Sequence, residues 1–242
     1  MHREKVCEEL ESLCGVLESF YGDCVRDVGA LRGAISRIRS ACRNDEERPL
    51  KVDVQKLIFE IPEGHKHTLP KGVKDSVISL CISMHFKGHL ATFDEIENLN
   101  IDFELHAMDA QGMPVKSAWH FDFHEVVGDE HFSHPRFHFQ FGGKRLRESD
   151  RISNNDCDSG ELLLMESPRI MHPPLDLTLA IDFLFGNFLG RRNWLRLRSD
   201  SIYRKIHGTS KSLYWRPFFD SISGYFDSPD SFKNATDLHP GL

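Results

Sequence analysis

Histidine and acid recur at alternate positions through the middle of this 242-residue chain, which holds 14 histidines. In WHFDFHE, residues 119–125, Trp119, Phe121 and Phe123 alternate with His120, Asp122 and His124. A β-strand sends successive side chains to opposite faces, so this segment has an aromatic face and a face of metal-binding and proton-transferring groups. RFHFQF repeats the pattern, with Phe137, Phe139 and Phe141 against Arg136, His138 and Gln140. NIDFELH sets Asp102, Glu104 and His106 against Ile101, Phe103 and Leu105, and VISLCISMHF sets Ser79, Cys81, Ser83 and His85 against an apolar face. Paired as neighbours, these strands gather the histidines and acids on one side. A hairpin through residues 126–135 would set His124 roughly opposite His138, with cross-strand Cβ atoms about 5.5 Å apart. His120, Asp122, His124 and His138 are therefore candidate ligands for a divalent transition metal, with His131 and His134 within reach. Such a ligand set leaves an open coordination position that acidifies a bound water, the chemistry of a metal-dependent hydrolase or nuclease. His138 and Asp122 would then be catalytic. No H-E-x-x-H spacing accompanies them, and any one-sided antiparallel sheet has a polar outer face.

Asp182 is the third candidate catalytic group. It interrupts the most apolar stretch of the chain, Leu175 to Leu189. A buried carboxylate needs a partner or a raised pKa. Arg169 and His172 are the nearest candidates in sequence, either as a structural tie or as the lining of a pocket shared with His138. Just beyond, residues 190–216 hold eight basic residues against one acid, Asp200, a net +7 in a chain of −7, so the remainder carries −14. Arg191, Arg192, Arg196, Arg198, Arg204 and Lys205 are interleaved with Trp194 and Tyr203. A helix with that charged face suits phosphates or an acidic protein partner, and the aromatics suit unpaired bases.

The elements that must position these residues follow from periodicity. Residues 2–42 read as helix, with apolar residues at alternating steps of four and three, as one long helix or as a helical hairpin bent near Tyr21-Gly22-Asp23. Leu10, Leu13, Leu17, Val28, Leu31 and Ile35 form a heptad-like seam suited to a homodimer or another protein partner. Strands are predicted at 51–61, 77–86, 100–108, 116–126 and 136–142, with a sixth at Leu162–Met165. Short Gly-, Pro- and Asp-rich connections make them an antiparallel meander. Pro173-Pro174 ends strand structure, and three helices follow near 175–189, 192–207 and 210–226. The result is an α+β chain of five or six antiparallel strands, divided into a helical segment 1–48, a core 49–227 and a weakly structured tail 228–242.

The six cysteines show no C-x-x-C pair and no zinc or disulfide framework, so they are expected to be reduced. The charged N-terminus MHREKVCEELESL has no signal-peptide core, and no run suits a membrane span. A cytoplasmic setting without membrane contact is expected.

The strand HPRFH at 134–138 running to Gly142, then Pro168-Arg169-Ile170, then Asp182-Phe183 followed by Asn187-Phe188 resembles a group of uncharacterised bacterial proteins found in toxin–antitoxin and phage-defence neighbourhoods. The likeness spans about residues 115–220 and implies a bacterial origin and a defence role, without catalytic residues to transfer. The order of a helix, a meander, a His-Pro turn and further helices is also similar to the ubiquitin-conjugating-enzyme fold. That likeness departs at Cys157, which lies over twenty residues beyond His134 with no His-Pro-Asn before it. The leading expectation is a non-enzymatic interaction or regulatory component of a bacterial defence or toxin–antitoxin system, acting through the heptad seam and the basic segment. The metal-dependent hydrolase or nuclease and a nucleic-acid-binding protein without catalysis are the alternatives.

Overall fold

The computed structural model describes residues 1–44, 48–61, 69, 72–123, 135–142 and 169–227. The chain opens with α1 (Arg3–Glu18), a short β1 (Val25–Asp27) and α2 (Gly29–Asn44). Four strands follow: β2 (Lys51–Glu60), β3 (Lys74–Phe86), β4 (Ile96–Met108) and β5 (Pro114–Phe123). After β6 (Phe137–Phe141) and the two-residue β7 (Ile170–Met171) come α3 (Leu177–Asn187), α4 (Arg191–Ser199), α5 (Ser201–Ser210) and α6 (Arg216–Asp227). The strands form one seven-stranded antiparallel sheet in the order β1 to β7, a meander in which every sequence neighbour is a hydrogen-bonded neighbour. Of the predicted strands, all five near 51–142 are present, and β1 and β7 extend the sheet to seven. Both additions are too short to show an alternating pattern. The run Leu162–Met165 lies outside the described residues, as does the tail 228–242.

One face of the sheet is apolar and buried. Leu80, Ile101, Phe103 and Phe121 are inaccessible, and α1 and α3 pack over them through Leu13, Leu17, Ile181 and Phe185. Phe183 on α3 meets Phe103 and Phe139, and Phe185 meets Phe20 and Phe59, all within about ring-contact distance at 5.1–6.1 Å.

The N-terminal region is a hairpin, not one helix. Gly22 adopts φ +81°, a left-handed conformation that costs other residues more, and the chain turns there into β1. The break falls at the Tyr21-Gly22-Asp23 bend that the hairpin alternative expected. The expected self-association seam is also corrected. Leu10, Leu13, Leu17, Val28, Leu31 and Ile35 are 0–7% exposed within a single chain and belong to its core. Each such leucine contributes about 1.5–3 kcal/mol where it stands, so these six side chains present nothing to a second copy.

Among the described residues four helices, not three, follow the sheet. Asp200 interrupts the expected helix 192–207: its backbone is extended at ψ 129°, and its carboxylate accepts from the Tyr203 amide to start α5. Asp176 caps α3 in the same way through the Leu179 amide and accepts a 2.6 Å bond from Ser210 Oγ. Burial pushes the Asp176 carboxyl above its ordinary range. Lys211–Trp215 is a π-helical turn that seats Tyr214 in the core and lets Trp215 Nε1 donate to Pro174 O at 2.9 Å. Among the described residues, no helix is long and apolar enough to cross a membrane.

Candidate metal centre

The second face of the sheet carries the polar set. Antiparallel pairing aligns Asp53, Ser83, Asn100, Asp122 and His138 in one row across β2 to β6, and Cys81, Asp102, His120 and Gln140 in the next. Alternation puts both rows on one side because their members differ by two residues along each strand. The register also corrects one expectation: Asp122, not His124, stands opposite His138. His124, His131 and His134 lie outside the described residues.

Within this face, one ligand-forming atom each from His120, Asp122 and His138 lies within 4.8 Å of the others. His120 Nε2 is 3.3 Å from Asp122 Oδ2, and His138 Nε2 is 4.0 Å from the same oxygen. The two imidazoles stand edge to face, 6.2 Å apart at an interplanar angle of 84°. Their supports divide the work. Asn100 Nδ2 donates to Asp122 Oδ1 at 2.7 Å, so one carboxylate oxygen is held and the other turns toward both rings. His138 Nδ1 lies 3.2 Å from the carbonyl of Pro135. A proton on Nδ1 satisfies that carbonyl and leaves the lone pair on Nε2, the arrangement found around metal-ligating histidines. His138 is 2% exposed, whereas Asp122 is 28% exposed, so the cluster has a rigid floor and an accessible side.

The donors are two imidazole nitrogens and one carboxylate oxygen, a set that suits Zn²⁺ and its divalent neighbours. Ligand atoms about 2.0–2.2 Å from one tetrahedral ion stand about 3.4 Å apart. The His120–Asp122 separation already meets that spacing, and the His138 separation needs only a small side-chain rotation. Asn100 was not among the candidates read from sequence. It shares its strand parity with Asp102 and Glu104, which was the available signal, but an amide does not titrate and so drew no notice.

The other polar-face groups are paired locally. His85 Nε2 and Ser83 Oγ both bond Asp53 Oδ1, at 2.9 and 2.7 Å. Because serine and carboxylate meet the same ring nitrogen, 3.1 Å from Ser83 Oγ, this is not a nucleophile relay, which needs the two on opposite nitrogens. Glu104 lies 3.3 Å from His106 and 3.4 Å from Lys116.

Asp182 does not join His138. It stands on α3, beneath the apolar face, so the sheet lies between the two. Its partner is neither Arg169 nor His172. Arg198 Nε and Nη2 donate to its two oxygens at 2.5 Å each, Tyr203 OH donates at 3.3 Å, and His207 Nε2 is 3.9 Å away. His172 packs edge-on against Phe121 in the core-side layer, and burial lowers its pKa.

The basic segment is largely taken up by internal contacts. Arg196 bonds Asp23 and the Ser19 carbonyl and covers the Phe20 ring at 4.3 Å, tying α4 to the turn after α1. Arg198 is the Asp182 partner. Arg191, Arg192 and Arg204 remain exposed, with no ion pair to a described residue. The expected continuous cationic helix face is therefore broken into an internal half and three surface arginines. Compared with known proteins, the chain matches no protein-family profile, no curated protein and no solved structure.

Proposed function

We propose that the protein binds a divalent transition-metal ion through His120 Nε2, Asp122 Oδ2 and His138 Nε2 and is a metal-dependent hydrolase. The observation that carries this reading is the divided carboxylate of Asp122: one oxygen is fixed by Asn100, and the other faces two imidazoles whose Nε2 atoms both point to it. An ion held by three protein ligands keeps a position for water and lowers the pKa of that water toward neutrality. His138, fixed by the Pro135 carbonyl, orients the cluster, and the exposed side of Asp122 admits substrate. The interaction-module expectation loses one of its two surfaces, because the heptad seam is spent on the chain's own core.

The test is the metal content of the purified, untagged protein by inductively coupled plasma mass spectrometry, beside Asp122→Asn and His120→Gln. Neither substitution removes buried volume. About one ion per wild-type chain and a loss in both variants is the expected result, with hydrolysis of a nitrophenyl phosphodiester or ester lost in parallel. A folded wild type that takes up no zinc, manganese or cobalt, or variants that hold as much metal as the wild type, would end the proposal.

A further inference from the structure

Cationic side chains also collect at the sheet edge, where α2 lies along β2. β1 covers only the far half of β2, at Ile58 and Phe59. Along the near half, α2 takes its place, and Arg37 Nη2 donates to the backbone carbonyl of Asp53 at 2.7 Å. A groove of about 400 Å³ opens there, lined by Arg3, Arg37, Arg48 and Lys51 and by Ser36 and Ser40, which are one helical turn apart. Volumes of about 300–1,000 Å³ are typical of small-molecule sites.

Among the described lining residues the carboxylate is Asp53, whose Oδ1 accepts from Ser83 and contacts His85 on the polar sheet face. Neighbouring arginines have acids of their own, Arg26 with Glu60, Arg32 with Glu18, and Arg39 with Glu4 and Glu11. Arg37, Arg48 and Lys51 form no ion pair with a described residue. They are also held in place. Arg3, 7% exposed, donates to the Arg48 carbonyl and so fixes the segment that carries Arg48 and Lys51. The bond from Arg37 to Asp53 O uses one of the five guanidinium donors and leaves the rest of the planar fork available.

We propose that this groove binds the phosphate group of a small phosphorylated ligand. Two guanidinium groups and an ammonium match the charge and the several acceptor oxygens of a phosphate better than those of a lone carboxylate. Ser36 and Ser40 supply hydroxyl donors on the same wall. The site is separate from the metal cluster. Asp53 and Asp122 share one cross-strand row but stand three strands apart, about 14–15 Å at 4.7–4.9 Å per strand.

The experiment titrates inorganic phosphate into chelator-treated, isotope-labelled full-length protein at constant ionic strength and follows the backbone amides. Chelation keeps phosphate from binding an ion at His120, Asp122 and His138, so failure of the metal reading does not disturb this test. Saturable shifts centred on residues 36–40 and 48–53 are expected. Affinity should fall at least about tenfold in Arg37→Gln/Lys51→Gln and hold in Arg191→Gln/Arg192→Gln. Shifts that never saturate, or that weaken equally in both variants, would reduce the groove to diffuse attraction and overturn the proposal. If the double variant unfolds, Lys51→Gln alone decides, because that side chain is exposed; an unchanged affinity there overturns it as well.

Discussion

Two histidine–aspartate clusters among the described residues lie on opposite sides of the sheet, and they differ in what holds the carboxylate. Around Asp182 both oxygens are taken by Arg198 and Tyr203 adds a third bond, while His207 Nε2, 3.9 Å away, is buried without a hydrogen-bond partner. Around Asp122 one oxygen is taken by a neutral amide, and the other faces two ring nitrogens at 3.3 and 4.0 Å. A carboxylate matched by a guanidinium is electrically complete and locks α3 to α4. Beside a carboxylate held by an amide, two imidazole nitrogens offer further ligand atoms. That set of ligand atoms suits a divalent cation. Residue type alone therefore does not mark a site; the identity of the group holding the first oxygen does.

The comparison predicts opposite costs for removing the two acids. Asp182→Ala leaves Arg198 and Tyr203 facing a gap in a mostly buried setting. It should lower unfolding free energy by about 2–4 kcal/mol in urea titrations, below the full cost of breaking a buried pair because Arg198 is about a third exposed. Asp122→Asn should change stability by less than about 1 kcal/mol in metal-free protein while removing metal uptake. Reversed magnitudes would make Asp122 the structural acid and Asp182 the functional one. A smaller effect sharpens the role of the amide. Asn100→Leu keeps the branched side-chain shape and releases Asp122 Oδ1, so zinc affinity measured against a chromophoric chelator should fall about 10–100-fold. An unchanged affinity would show that Asn100 orients nothing.

The sheet was legible because period-two alternation in FDF, FHF and DFE segments is a local signal that tertiary packing reinforces. Strands β2 to β6 stand within a few residues of their predicted bounds. So was the face on which His120, Asp122 and His138 gather. The register was not: which residue of β5 opposes His138 depends on the length and path of the 124–134 connection, which sequence does not specify, and the misalignment exchanged Asp122 for His124. The partners of Asp182 were misread for a related reason. Arg169 and His172 are near in sequence, but α3 and α4 form a tight helical pair that brings Arg198 to it from sixteen residues away. The basic run was a true signal of charge and a poor signal of surface, since charge does not reveal that Asp23 and Asp182 will claim Arg196 and Arg198. The groove beside Arg37 was invisible because Arg3, Arg37, Arg48 and Lys51 are scattered between residues 3 and 51.

The smallest expected effect bears on the closed cluster and on acid. His207 is buried and stacked on Tyr203 at 5.7 Å. Burial lowers its pKa first and the charge of Arg198 second, with Lys211 adding to the fall and Asp182 opposing it. The folded state therefore holds the ring neutral, whereas the unfolded chain titrates near the ordinary value of about 6.5. Protons bind the unfolded state more readily, so the stability contributed by the neutral ring is present above that value and is lost as pH falls below it. His207→Gln should flatten this acid limb in thermal melts between about pH 7 and about pH 5 without removing it, because burial lowers the pKa of His172 in the same direction. Parallel melting curves for wild type and variant across that range would show that Asp182 offsets the burial of His207 completely, and the second cluster would then be as insensitive to protons as it is to metal.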